Sequence, residues 1–333
     1  MRLALRTRPD KYFVHYNLGM ASPSKPLAKK KKSREPAERN KKAVRANAAS
    51  SQLELLQAKN LAAEDWLLQG FSTRKGGVSN AYGAGTLNLG FTEDDSRANS
   101  EENRRRFLSR LAPRVNFPAA LVTLRQVHSD RIHHIARVDH ESLTGDGMVT
   151  NLPGAILAIQ TADCLPVLLA DPMHKAVGAF HAGWRGSLAR IVQKGVGDMQ
   201  RRFGSNPRDL IAAIGPGIHA CCYRVGDELR DQFEAQFSYA TELFHQVSDS
   251  NPIHRKYPLL FLSARAPGHG DLGPELHLNL VEANRRQLIE AGVRDKNIEV
   301  SPLCTSCHLD LLFSYRGEHG KTGRMLAAIG VRP

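Results

Sequence analysis

The sequence lacks any apolar run near the ~20 residues that a bilayer-spanning helix needs, so no membrane span is expected in its 333 residues. Cysteine is scarce: there are five, an odd number, with Cys221 and Cys222 adjacent. That is not the even, spaced set of a secreted disulfide framework; it points to a reducing compartment, a cytoplasmic location and at least one free thiol. A secretory signal is missing, because MRLALRTRPD is broken by charges throughout. No Walker phosphate loop occurs, and GAGTLNLG (83–90) is too short and wrongly placed for a dinucleotide loop, so ATP and NAD binding have no support. There is no internal repeat at solenoid or propeller periods. Acidic residues are nearly absent from positions 1–50, which hold 3 of them against 14 basic ones.

That last shortage relocates the net charge. The chain carries +13, from 46 Lys and Arg against 33 Asp and Glu, but +11 belongs to residues 1–50 and only +2 to the rest. Lys29 to Lys32, Lys41 and Lys42 lie among Ser, Pro, Ala and Asn, with little to bury. Such a segment is expected to be a disordered, solvated leader. Contact with RNA, DNA or an anionic membrane is its second reading, and would make the chain a basic-tail interaction protein. An organelle transit peptide stays open because Arg is frequent there, and Met20 stays open as another start.

The body, with 41% hydrophobic and 24% charged residues over the whole chain, has the composition of a globular protein. Roughly 280 residues suit one large or two modest domains; no long polar linker divides them, so 51–333 is read as one domain. SQLELLQAKNLAAEDWLLQG (51–70) has near-helical apolar spacing. Short strand-length runs follow, among them AILAIQTAD, LPVLLAD, AVGAFHAGW and MLAAIG. SLARIVQKGVGDMQRRF and LVEANRRQLIEAGV are helical. Strands outnumber helices without alternating with them, which favours an α+β sandwich over a doubly wound sheet. Residues 251–275 read as an inserted surface loop.

Three borderline-soft donors each sit at the end of an apolar run: His128, Cys164 and His181. If three strand ends of one sheet converge there, two imidazoles and a thiolate make a zinc or copper ligand set with the fourth position open. Taken singly, each His is more often a hydrogen-bonded core residue and Cys164 a small buried hydrophobe. The spacings of 36 and 17 residues match no local zinc signature. Asp163 could orient an imidazole from behind, and the helix start near Ser187 could offer N–H groups to an anion.

FSTRKGGVS (71–79), TLNLG (86–90), RQVHSD (125–130), GDGMVTN (145–151), TADCLPVLLAD (161–171), HAGWRGSLARIV (181–192), AAIGPGIHACCYRVG (212–226), LNLVEANRRQL (278–288) and CTSCHLDLLFSYRGEHGKTGRM (304–325) occur in this order. Over about residues 66–331 the chain resembles the family variously called laccase-domain multicopper polyphenol oxidases, purine nucleoside phosphorylases or peptidoglycan editing factors. The resemblance implies a single-domain layered α/β/β/α sandwich similar to cysteine-hydrolase-like toxins, and a metal held by His128, Cys164 and His181. It also implies phosphorolysis of adenosine, inosine and methylthioadenosine, adenosine deamination, copper-dependent phenol oxidation, or quality control of peptidoglycan precursors. The chain departs from the family pattern at His219 and at Gly317-Glu318-His319.

Several motifs need a plainer reading. CTSCH (304–308) fits the haem-attachment pattern, but no export route accompanies it. Only Cys221 and Cys222 could complete a four-cysteine site with Cys304 and Cys307, and adjacent residues rarely point at one metal, so packing is expected for them. Arg74, Arg185, Arg316 and Arg324 lie near glycines; any could be a surface charge or a fork for phosphate. On the nucleoside reading, with zinc as the metal and copper as its alternative, Arg74 is assigned to phosphate, Asn88 to ribose or base, and Arg316 to substrate. Cys164, His181 and Asp163 carry the catalysis, Asp163 or a nearby His relaying a proton. The competing enzyme reading is a metal-free hydrolase with Cys164 as nucleophile and His181 as base. A multicopper cluster would need many more His ligands than this set provides.

Overall fold

The computed structural model describes residues 53–113, 119–138, 143–247 and 275–332. The leader and the loop expected at 251–275, Glu275 excepted, lie outside the described residues. Two large mixed sheets dominate. One runs in spatial order β1 (Leu55–Leu56), β2 (Leu67–Ser72), β15 (Met325–Val331), β7 (Ala155–Thr161) and β4 (Ala120–Thr123). The other runs β14 (Ile298–Val300), β10 (Ile211–Ile214), β8 (Leu165–Asp171), β9 (Ala176–Ala182), β6 (Gly147–Thr150) and β5 (Ile132–His134). A small third sheet joins β11 (Arg224–Val225), β13 (Glu275–Leu278) and β12 (Phe244–Val247), while β3 (Lys75–Ser79) bridges only to Thr86.

The long strands are buried on both faces, so their sequences are continuous apolar runs whose alternation appears only in which core each side chain enters. Leu157 and Ile159 of β7, with Ala327 and Ile329 of β15, face Leu168 and Ala170 of β8 between the two sheets. Ile156, Ala158, Leu326 and Ala328 point the other way, onto Phe107, Leu108 and Leu111 of α2 (Arg97–Leu111). Leu165, Val167 and Leu169 turn outward onto α4 (Ile191–Phe203) and the later helix that contributes Leu280, Ala283 and Leu288. Helix, sheet, sheet, helix is therefore the layer order.

Two helical expectations change. Residues 51–70 split into β1, the short α1 (Lys59–Ala62) and the start of β2, because Leu67 and Leu68 enter different cores on opposite faces of a strand paired to β15. The helix read over SLARIVQKGVGDMQRRF is two, α3 (Trp184–Leu188) and α4, broken at Arg190 with φ 61°. Arg190 is held in that left-handed turn by stacking 4.3 Å from the Phe237 ring and donating to Gln236 O at 2.7 Å. Gly204 (φ 76°) then ends α4, its N–H returning to Gln200 O. α5 (Asp227–Glu234) and α6 (Leu280–Glu290) complete the outer layer.

Candidate metal centre and pocket

His128, Cys164 and His181 come together, with their donor atoms within 4.8 Å of one another. They do not come from one sheet rim, as strand ends alone suggested. His128 lies beyond β4 of the five-stranded sheet, and His181 lies in β9 of the six-stranded one. Cys164 sits on the three-residue crossing from β7 in the first sheet to β8 in the second. The centre thus marks the seam between the sheets, where the chain must change layers.

Asp146, just before β6, holds the His181 imidazole and the His128 backbone. Its Oδ1 lies 2.8 Å from His181 Nδ1 and accepts from His128 N at 3.0 Å, while Oδ2 accepts from Ser129 N at 2.6 Å and Ser129 Oγ at 2.8 Å. Held through Nδ1, the His181 ring presents Nε2 to the centre. Burial opposes charge on Asp146, but the His181 and Ser129 hydrogen bonds outweigh it and hold the carboxyl down to about 2. Burial likewise disfavours charge on both members of the Cys164–His181 pair; their mutual attraction wins, lowering the thiol and raising the imidazole. The His128 and His181 rings meet edge-on at 4.9 Å. Gly183 closes the cradle: a Cβ there would lie 2.7 Å from Cys164 Sγ and 3.3 Å from His128 Cδ2. Two nitrogens and a sulfur, with room left beside them by Gly183, suit a metal ion.

Asp163 has a different task from the one its place beside Cys164 suggested. With φ 94°, it turns its carboxylate away from the imidazoles. It accepts from Thr305 Oγ1 and Ser314 Oγ at 2.6 Å each and from Arg316 N at 2.6 Å, while its carbonyl takes Ile218 N at 2.7 Å. It is a hub for the loops over the site, and the partner behind His181 is Asp146. His128 is also left-handed (φ 59°), so two of the five non-glycine residues with positive φ among the described residues lie at this seam.

The centre opens into a cavity of about 670 Å³. Arg316 lines it, its guanidinium donating to Arg224 O at 2.9 Å and lying 5.6 Å from the Tyr223 ring. Arg324, read from the sequence as either a surface charge or a fork for phosphate, lines the cavity too, as does Arg125, which no sequence motif singled out. Arg324 donates to Thr322 O and Gly323 O at 3.0 Å, and among the described residues none of these three arginines pairs with a carboxylate. Tyr223 lines the same wall; burial first, then the nearby Cys164 charge, push its hydroxyl pKa up, so it is a neutral donor.

Arg74, Asn88 and Ser187 leave the site. Arg74 is consumed by Glu318 at 3.1 Å, by the carbonyls of Leu309 (2.6 Å) and Tyr82 (2.7 Å), and by the Phe313 face. Asn88 is fully buried, donating to Asp95 at 2.8 Å and accepting from Arg324 N at 2.9 Å. The N–H of Ser187 is spent on Gly183 O inside α3, and Arg185 stacks on Trp184 away from the cavity lining. The cysteine expectation is also overturned: Cys221, Cys222, Cys304 and Cys307 bring their sulfurs within 4.8 Å of one another.

Residues 68–332 match the multi-copper polyphenol oxidoreductase laccase family. The chain belongs to that family. Within this laccase-like family it is 36% identical over 273 residues to purine nucleoside phosphorylase YlmD of Geobacillus stearothermophilus, covering 79% of this chain and 89% of that protein. It is 39% identical over 284 residues to a purine nucleoside phosphorylase of Deinococcus radiodurans, covering 84% and 93%. The crystal structure of YlmD from G. stearothermophilus superposes with a TM-score of 0.67 at 33% identity, covering 85% of this chain and 99% of that one. The family expected from the nine sequence blocks is therefore the family found.

Proposed function

We propose that the chain is a purine nucleoside phosphorylase that holds zinc on His128, Cys164 and His181 and cleaves adenosine, inosine and methylthioadenosine with phosphate. Adenosine deamination is a second activity of the same pocket. One observation carries this reading: a two-imidazole, one-thiolate set faces a cavity of about 670 Å³ lined by Arg125, Arg316 and Arg324, whose guanidinium groups have no carboxylate partner among the described residues. Such a volume suits a small organic ligand, and unpaired arginine forks suit a phosphate. The family relatives, named as purine nucleoside phosphorylases, support the substrate class. The layer order, with Cys164 and His181 at its seam, supports the kinship to cysteine-hydrolase-like toxins, and the absence of a helix able to cross a membrane among the described residues accords with a cytoplasmic setting.

When bound, the metal supplies Lewis acidity at the position the three protein donors leave open; copper suits the same donors. Arg125, Arg316 and Arg324 take the phosphate. In phosphorolysis a phosphate oxygen bonds to C1′ of the ribose as the glycosidic C–N bond breaks, and the electron pair leaves with the purine. The neutral Tyr223 hydroxyl is the chain's hydrogen-bond donor to that departing base. Asp163, accepting from Thr305, Ser314 and Arg316 N, holds the loops over the site. Deamination exchanges the C6 amine for the oxygen of water and needs no phosphate.

A second reading rests on the Asp146–His181 bond: with Cys164 these three form a nucleophile, base and orienting acid without metal. The decisive experiment follows adenosine, inosine and methylthioadenosine by chromatography with and without phosphate, on wild type and Cys164→Ala, before and after chelation. Phosphate-dependent release of free base, abolished by chelator and by the substitution, is the expected result. Turnover that survives chelation but not thiol alkylation supports the triad instead, and wild-type rates in Cys164→Ala end both readings.

A further inference from the structure

Outside the pocket, two turns carry four cysteines to one point. Cys221 and Cys222 sit on a turn in which the N–H groups of Cys222 and Tyr223 both return to His219 O, at 3.0 and 2.9 Å. That curl lets adjacent side chains face one way. Cys304 and Cys307 sit on a second turn, joined to the first by a bridge between Gly217 and Cys304 and by Thr305 N donating to Gly217 O at 2.9 Å. The Cys304 sulfur accepts backbone N–H groups from His219, at 3.4 Å, and from Cys307. Cys307 Sγ is 3.5 Å from Cys221 Sγ and 3.4 Å from Cys222 Sγ, and all four sulfurs lie within 4.8 Å.

These separations choose among the uses of thiols. A disulfide would bring two sulfurs to about 2.05 Å, and no pair is joined. Four thiolates at about 2.3 Å from one zinc in a tetrahedron stand about 3.8 Å apart, near the 3.5 and 3.4 Å of Cys307 Sγ to Cys221 and Cys222 and inside the 4.8 Å that bounds all four sulfurs. An iron–sulfur cluster spreads its thiolates over several irons and would hold them farther apart. Backbone N–H groups aimed at Cys304 add the charge-assisted donors that steady a thiolate.

We infer that Cys221, Cys222, Cys304 and Cys307 form a second, closed metal site that binds one zinc as a tetrathiolate and clips together the two loops walling the pocket. The first loop supplies Ile218 and Tyr223 to the wall and the second Tyr315 and Arg316. Thr305, inside the second turn, bonds Asp163 beside Cys164. With four protein donors the site has no open position, so its work is structural. It shares no ligand with the His128, Cys164 and His181 set and stands or falls independently of the nucleoside reading.

The test is metal stoichiometry on the full-length protein by elemental analysis, together with the visible spectrum of its cobalt-substituted form. Wild type is expected to hold two zinc ions per chain. Cys164→Ala is expected to hold one and keep the intense sulfur-to-cobalt charge transfer of a tetrathiolate; Cys307→Ser is expected to lose that signature and lower the melting temperature. If Cys307→Ser does not fold, the retained spectrum of Cys164→Ala decides. One zinc per chain in wild type, with cobalt colour that vanishes in Cys164→Ala, overturns the inference. So do four cysteines that alkylate freely in the native metal-loaded protein. Failure of nucleoside phosphorolysis would leave the two-zinc count unchanged.

Discussion

At the scale of single residues, Gly183 and Asp146 decide whether three donors make a site. Gly183 has φ −75°, a conformation open to alanine, so its constraint is steric rather than conformational. Gly183→Ala places a methyl 2.7 Å from Cys164 Sγ, and the sulfur must move. Sites tolerate only about 0.5 Å of such displacement, so the substitution is expected to weaken metal at this centre by about tenfold or more while the circular dichroism melt stays near wild type; full metal content would show that the cradle does not matter. The donors themselves were legible because each closes an apolar run. Asp146 was not, since GDG reads as a plain turn and its partner His181 lies 35 residues on. Asp163 misled through adjacency: its left-handed backbone sends the carboxylate to residues 305–316, which no local pattern reveals. Arg74 failed likewise, because Glu318 and the carbonyls that absorb it come from the far end of the chain.

At the scale of elements, packing overrides local preference. Gly195 lies inside α4, where alanine would ordinarily stabilise by about 1 kcal/mol. A Cβ at Gly195 would stand 2.5 Å from the fully buried Phe180 ring, next to His181. Overpacking of this kind costs about 1–3 kcal/mol and exceeds the propensity gain, so Gly195→Ala is expected to lower the melting temperature; a rise would mean the helix yields freely. Another element depends on charge. Asp95 accepts from Ser79 Oγ at 2.5 Å, Asn88 at 2.8 Å, Asn99 at 3.0 Å and Ser96 N at 2.9 Å, tying β3 to the head of α2. Burial opposes its charge, but these bonds prevail and depress the carboxyl. A depressed acid contributes stability above its unfolded pKa and loses it as pH falls through the folded one. Asp95→Asn should therefore be less stable than wild type at pH 7, with the gap closing in acid; a constant gap in urea melts would assign the loss to shape. α2 escaped the sequence reading because its exposed face is crowded with Arg and Glu, whereas the two-sided strands were legible as unbroken apolar runs.

At the scale of the whole molecule, two sources of attraction for phosphate compete: a diffuse field and placed arginines. The net charge is +13, yet residues 1–50 carry +11 of it and lie outside the 68–332 family match. Exposed charges farther than about 8 Å from a ligand are largely screened at physiological salt, so phosphate capture is expected to rest on arginines that line the pocket. Arg316 is different: it lines the cavity, and its guanidinium is oriented by Arg224 O and has no carboxylate partner among the described residues. A charge-assisted hydrogen bond of about 1.5–3 kcal/mol corresponds to roughly tenfold or more in affinity. On the proposed phosphorolysis, Arg316→Ala should raise the KM for phosphate by about tenfold or more, and removal of residues 1–50 should leave kcat/KM within about twofold at physiological salt. Steady-state kinetics across ionic strength separates the two. A leader deletion that costs tenfold, with Arg316→Ala unchanged, would move phosphate capture from the pocket to the tail.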